Sequence, residues 1–176
     1  MENKPNVWKN GLNWGIITGL LTVIYLTLMY FLGLNLERWT GWISYVIIIG
    51  GIVYGTIQYR DNVRGGTISY AQALGFGVII ALVVAVIAAV YSLVLSLIDP
   101  GIIDQILEKA QDEMLKQGLS EDQVEQAVEI QRKFMSPGII AAMTVPSYTF
   151  MGFLFSLITS IFLKKEDTSV NLDTEE

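Results

Sequence analysis

The sequence predicts an all-α membrane protein, with four transmembrane helices in a bundle and an extramembrane helical hairpin between helices three and four. Three observations carry this reading. The 176 residues are 52% hydrophobic and only 16% charged, with a mean hydropathy of +0.50, too apolar for an ordinary soluble domain. Four runs hold no charged side chain at all: 27 residues between Lys9 and Glu37, 21 between Arg38 and Arg60, 34 between Arg64 and Asp99, and 30 between Lys133 and Lys164. The acidity is concentrated, because residues 99–136 carry nine acids and four bases, or −5 of a total net charge of −6.

A bilayer core about 30 Å thick needs roughly 20 apolar residues of helix, so each run is long enough to span. A Lys, Arg or Asp at mid-helix costs about 2.5 to 3.5 kcal/mol on insertion, which makes four charge-free runs a strong signal. The helices are expected at about Leu12 to Leu34, Thr40 to Tyr59, Ala71 to Ile98 and Ile139 to Leu163. The third run is too long for one straight span, and its opening residues Gly65 to Tyr70 read as an interfacial turn. The first span is expected to stay uncleaved, since no A-x-A-like site follows it and the first alanine is Ala71. The chain thus divides into residues 1–98 with three spans, the acidic hairpin 99–136, the fourth span at 137–165 and a polar acidic tail at 166–176, expected to be disordered.

Orientation follows from the bases near the helix ends. Lys4, Lys9, Arg60, Arg64, Lys164 and Lys165 fall on one side, against Arg38, Arg132 and Lys133 close to the other, so both termini are expected to be cytoplasmic. Trp8 and Trp14 then lie near one interface and Trp39 and Trp42 near the other, as an aromatic belt.

Within residues 99–136, Asp99 can cap a first amphipathic helix with Pro100 at its first position, and Ile103, Ile106, Leu107, Ala110 and Met114 recur at helical spacing. Gly118 ends it. Ser120 and Gln123 form a capping box for a second helix, with Leu119 and Val124 at the positions of a hydrophobic staple. Its apolar positions are Val124, Ala127, Val128, Ile130 and Phe134, and Pro137 ends it before Ser136. Two short helices are marginal alone in water, so their stripes need each other, the membrane interface or a second protein.

Small residues at intervals of four recur in every span. They are Gly11, Gly15 and Gly19 on helix one, Gly51 and Gly55 on helix two, Gly77, Ala81 and Ala85 within a longer row on helix three, and Gly152 and Ser156 on helix four. Such rows permit close helix approach where lipid offers no hydrophobic drive. They serve either the bundle itself or a homodimer, for which the glycine row of helix one is the best candidate. Pro146 removes a backbone hydrogen bond inside helix four and predicts a bend.

Polar side chains gather near the end that carries the termini. Asn13, Gln58, Tyr70 and Gln72, beside Arg60, Asp61 and Arg64, form a candidate pocket for an anionic lipid head group, or else snorkelling helix ends and an Arg to Asp contact. The Glu121, Glu125, Glu129 row reads as a solvated helix face, without the glycine turn and clustered oxygens of a calcium loop. With no Cys and no His there is no disulfide, no common zinc or haem ligation and no imidazole chemistry, and neither H-E-x-x-H nor G-x-S-x-G occurs. No catalytic residue, metal or cofactor is expected, and no nucleic-acid partner.

Arg60-Asp61, Gly65-Gly66 and the run Ile68-Ser69-Tyr70-Ala71-Gln72-Ala73-Leu74-Gly75, with the long apolar helix ending at Asp99-Pro100, resemble the bacterial domain-of-unknown-function family 4199. The similarity runs from about Asn10 to Lys165 and includes Lys164-Lys165 after the last span. It implies a small inner-membrane protein of four spans and transfers no catalytic residues. The expected role is a non-enzymatic scaffold or accessory subunit of a membrane or envelope complex. A small transporter or channel is the alternative, against which no span holds the ionisable residues typical of ion pathways, and a lipid-acting enzyme is a more distant one, with no His, no Cys and no catalytic motif.

Overall fold

A computed structural model describes residues 6–165 and shows six α-helices in chain order: α1 Val7–Phe31, α2 Arg38–Val63, α3 Tyr70–Ile98, α4 Ile102–Lys116, α5 Glu121–Phe134 and α6 Pro137–Leu163. Four of them, α1, α2, α3 and α6, are long and apolar enough to cross a membrane. Lys4 and the acidic tail at 166–176 lie outside the described residues.

Local chemistry sets the helix ends. Asn6 caps α1 by accepting the Lys9 N–H at 3.0 Å, so the helix starts at Val7 rather than near Leu12. It stops at Phe31, ahead of Gly33 at φ +69°. α2 runs on to Val63, past the expected end at Tyr59, because nothing in Arg-Asp-Asn-Val breaks a helix. The break comes at Gly65 and Gly66, whose φ values of +70° and +94° suit residues without a Cβ. Arg60 and Asp61 therefore sit in the last turns of α2, not in a loop. Ser69 and Gln72 cap α3 reciprocally, and Ser136 caps α6, which opens on Pro137.

The hairpin is α4 and α5, packed along each other through the buried Leu107 and Val124. Gln123 reaches back to the Ser120 N–H at 3.0 Å, and Gly118 turns the chain at φ +87°. The start of α4 differs from expectation. Gly101 is its N-cap, while Asp99 stands two residues earlier and accepts the Gly101 N–H at 3.1 Å. Pro100 thus belongs to the turn between α3 and α4.

The bundle is organised around α3. It packs on α1, α2 and α6, whereas α1 and α6 lie on its flanks and share no extended interface. Its two working faces are complementary in opposite senses. Toward α1 it offers bulky side chains to glycines: a Cβ built on Gly11 would lie 2.6 Å from Ile79, one on Gly15 2.5 Å from Val83, and one on Gly19 2.5 Å from Ile87. The glycine row of α1 is thus covered within the chain. Toward α6 the contact is small on small, with Gly77 against Ser156 and Ala81 against Gly152. Gly51 meets Thr18, and Gly55 meets Trp14 and Ile80. Trp14 is therefore part of the α1–α2 contact, edge-on to Tyr54 at 5.2 Å, and only Trp8, Trp39 and Trp42 are exposed as a belt would require.

Ala81 and Ala85 are fully buried, while Leu82 and Val86 on the same helix are exposed toward lipid. Ala81→Leu or Gly15→Leu should destabilise the bundle through overpacking by about 1 to 3 kcal/mol. Leu82→Ala and Val86→Leu should leave it close to wild type. Melting curves in one detergent check this, and equal tolerance at both sets would contradict the packing described.

Candidate functional site

Among the described residues, charged side chains are confined to the two ends of the bundle: the base, with Asn6 and Lys165, and the opposite end, with the hairpin. At the base, the sequence-predicted residues are each engaged locally. The Arg60 guanidinium binds the Asp61 carboxylate through Nε and Nη2 at 2.6 and 3.1 Å, and its Nη1 donates to the Leu163 carbonyl at 3.2 Å. Arg64 Nε donates to the Thr67 carbonyl at 3.2 Å. Tyr70 Oη donates to the Leu157 carbonyl on α6 at 3.3 Å. Gln72 closes the α3 cap, accepting the Ser69 N–H at 3.1 Å. Gln58 accepts from the Asn62 amide, and Asn13 is exposed on α1.

Arg60, Asp61 and Arg64 thus share the α2–α3 corner, with Tyr70 tying that corner to α6. Asn13 and Gln58 are not drawn into hydrogen bonds with them. A contact that residue spacing does not disclose completes the corner. Ile68 and Lys165 exchange both backbone hydrogen bonds at 2.9 Å, an isolated antiparallel bridge that pins the α2–α3 turn to the end of α6. Lys9, Arg60, Arg64, Lys164 and Lys165 give this end five bases against the single acid Asp61, or +4 among the described residues.

At the other end, three elements meet on Asp99. Its carboxylate accepts from Tyr30 Oη of α1 at 3.1 Å and from Gln105 Nε2 of α4 at 3.2 Å. Lys109 pairs with Glu37 at 2.8 Å and Arg38 with Glu113 at 3.0 Å, joining α4 to the α1–α2 turn. Arg132 to Asp104 at 2.9 Å links the hairpin helices. Each pair is solvent-facing and worth about 0 to 1 kcal/mol, but together they fix how the hairpin sits. Glu129 is held by Lys133 at 2.9 Å, and among the described residues no three acids converge as a metal site would require. Ten acids and five bases give this end −5.

Two further features were hidden from the sequence. Thr56, Tyr59 and Ser156 are fully buried, yet their hydroxyls have no hydrogen-bond partner among the described residues, although Tyr59 stacks on Phe76 at 4.4 Å between ring centroids. A cleft of about 450 Å3 also opens between the end of α5 and the start of α6. Neither has a composition signal, since the buried hydroxyls come together from distant segments and the cleft depends on the angle between α5 and α6.

Three apolar helices closed around a fourth, α3, with charge restricted to their two ends, define a small multi-pass helical membrane protein. The chain belongs to the DUF4199 family, described as a protein of unknown function, whose pattern matches residues 13–165. The match takes in all four spans and the hairpin, and contains the Arg60 to Gly75 segment that carries the resemblance. Neither the curated proteins nor the solved structures give a significant match.

Arg60 is the residue at the base with most to lose. Arg60→Ala removes hydrogen bonds to Asp61 and to the last carbonyl of α6, and should lower stability by about 1.5 to 3 kcal/mol. Asn13→Ala, at an exposed position without a hydrogen-bond partner among the described residues, should be neutral. Paired thermal melts report both, and an unshifted midpoint for Arg60→Ala would mean that the corner does not contribute to holding α6.

Proposed function

We propose that the protein is a non-enzymatic scaffold or accessory subunit of a membrane or envelope complex, with the bundle as anchor and the hairpin as the element that meets a partner. The observation that carries the reading is the fixed attachment of an acidic hairpin to an otherwise apolar bundle. Asp99, Glu37 and Arg38 hold α4 against the ends of α1 and α2, so the hairpin is presented in one orientation. Glu108 and Asp112 are left exposed beside a polar groove along α4. A pre-oriented charged surface gives partner specificity and faster encounter more than raw affinity. A basic partner surface is the complement.

Charge also supports a placement in a bacterial inner membrane with both termini in the cytoplasm. The base at +4 would face the anionic cytoplasmic leaflet, and the hairpin at −5 the opposite side. Arg60 is already committed to Asp61 and Leu163, so contact with lipid phosphate at the base would fall to Arg64, Lys9, Lys164 and Lys165.

Affinity purification in mild detergent should recover a reproducible membrane partner from wild type, and Glu108→Lys with Asp112→Lys should abolish its recovery without shifting the melting midpoint. Repeated recovery of nothing, or of the same partner by the charge-reversed protein, contradicts the reading. Reporter fusions at Glu166 and within Gln117 to Ser120 test placement separately: the first should report cytoplasm and the second the opposite side. A cytoplasmic hairpin fusion would invert the assignment.

A further inference from the structure

We propose that the α4–α5 hairpin is a two-position arm governed by ionic strength: ion pairs latch α4 to the α1–α2 turn, and their screening lets the hairpin tilt until α5 closes on α6. The latch is the set of contacts that orients the hairpin in the scaffold reading. The motion itself requires no partner, so the two readings fail separately.

The first observation is how little packing seats the hairpin. α4 shares a short interface with the end of α3 and no extended one with α1 or α2, and α5 shares none with any span. The buried side chains of α4 are Ile102, beside the α3–α4 turn, and Leu107, in the contact with α5. Farther along, α4 stands off the α1–α2 turn across clefts of about 560 and 250 Å3, in which Leu36 faces Gln105, Ile106 and Ala110. Lys109 to Glu37 and Arg38 to Glu113 bridge that gap, and all four side chains are solvent-accessible. Such pairs are weak and are screened as salt is added.

The second observation is that the hairpin is one body on two short linkers. Leu107, Val124 and the Arg132 to Asp104 pair hold α4 to α5. Pro100 and Gly101 lead into it from α3, and Met135 and Ser136 lead out of it to α6. Tyr30 holds Asp99 against α1, so the first linker turns about a fixed point. The third observation is where there is room to move. Ile79, Val83 and Ile87 meet α1, while Gly77 and Ala81, on the opposite face of α3, meet α6. The cleft of about 450 Å3 between α5 and α6 therefore lies away from the α1–α2 turn. Tilting into it brings the exposed Ile130 and Phe134 onto Met143. Salt weakens the ion pairs but not apolar contact, so both effects favour the tilted position.

The test uses the full chain, which has no cysteine of its own, with spin labels on introduced cysteine pairs. Leu32→Cys with Gln117→Cys reports the separation of the α1–α2 turn from the end of α4, and Gln126→Cys with Phe150→Cys that of α5 from α6. Distances are read by pulsed electron resonance in neutral-lipid nanodiscs at about 0.01 M and about 1 M sodium chloride, where the Debye length falls from about 30 Å to about 3 Å. The ratio of tilted to latched protein should rise roughly tenfold at high salt, the scale of two exposed ion pairs. The first distance should lengthen as the second shortens. Glu37→Lys with Glu113→Lys should give the tilted distances already at low salt, and adding Arg38→Glu with Lys109→Glu should restore the latched ones. The salt comparison needs no charge variant, so it stands should those fail to fold. Distances unchanged by salt would overturn the proposal, as would both lengthening together, which is detachment without closure. A folded charge-reversed protein that keeps the latched distances, or a folded full exchange that does not regain them, would overturn it equally.

Discussion

The close approach of α3 to its two flanking helices is the constraint on which the rest of the structure depends. In water, burying Ile79, Val83 and Ile87 would itself drive association, but lipid tails are as apolar as these side chains, and the transfer gain is lost. What remains is dispersion between well-fitted surfaces and the exclusion of lipid from the contact, and both require backbones close together. The glycines of α1 supply that closeness on one side of α3, where bulky side chains enter the grooves they leave. On the other side the closeness is mutual, since Ala81 and Gly77 face Gly152 and Ser156. One helix therefore uses large residues against one neighbour and small residues against the other, and α1 and α6 are set apart by its width.

The two ends solve a different problem. There the solvent is polar, and the elements are tied by hydrogen bonds and ion pairs instead of packing. At the base, the backbone exchange between Ile68 and Lys165 and the Arg60 contact with Leu163 lock the α2–α3 corner to α6. At the opposite end Asp99 joins α1, α3 and α4, and ion pairs from Glu37 and Arg38 complete the attachment. The hairpin packs against itself through Leu107 and Val124 but leaves the apolar edge of α5 uncovered, so only part of its amphipathic pattern is satisfied within the chain.

Much of this architecture is legible in the residues. Charge-free runs identify all four spans, and the rows of small residues identify the faces that meet, because both properties are local and periodic. Ser69 and Gln72 repeat the S-x-x-Q spacing of Ser120 and Gln123, so the cap that occupies Gln72 is also readable in advance and weakens its claim to a lipid pocket. What spacing could not reveal is the fate of polar groups that bond across long separations. Arg60 finds a carbonyl 103 residues away, and Tyr70 one 87 residues away. The end of α2 was obscured for a related reason: the charged Arg60 and Asp61 suggest a loop by composition, but a helix ends where the backbone must turn left-handed, and that is at Gly65.

The connectivity of the bundle has a consequence for biosynthesis. α3 is made before α6, and the whole of α4 and α5 intervenes between them. As the chain emerges, α1 can dock on α3 at once, glycine row against Ile79, Val83 and Ile87, but the alanine face of α3 has no partner until the last span enters the bilayer. During that interval the face is bathed in lipid at no hydrophobic cost, which a chain folding in water could not sustain. When α6 arrives, the strand-like clasp at Ile68 and Lys165 closes around the final residues of the fold. α6, made after the other three spans, is thus the segment that seals the earlier α2–α3 corner.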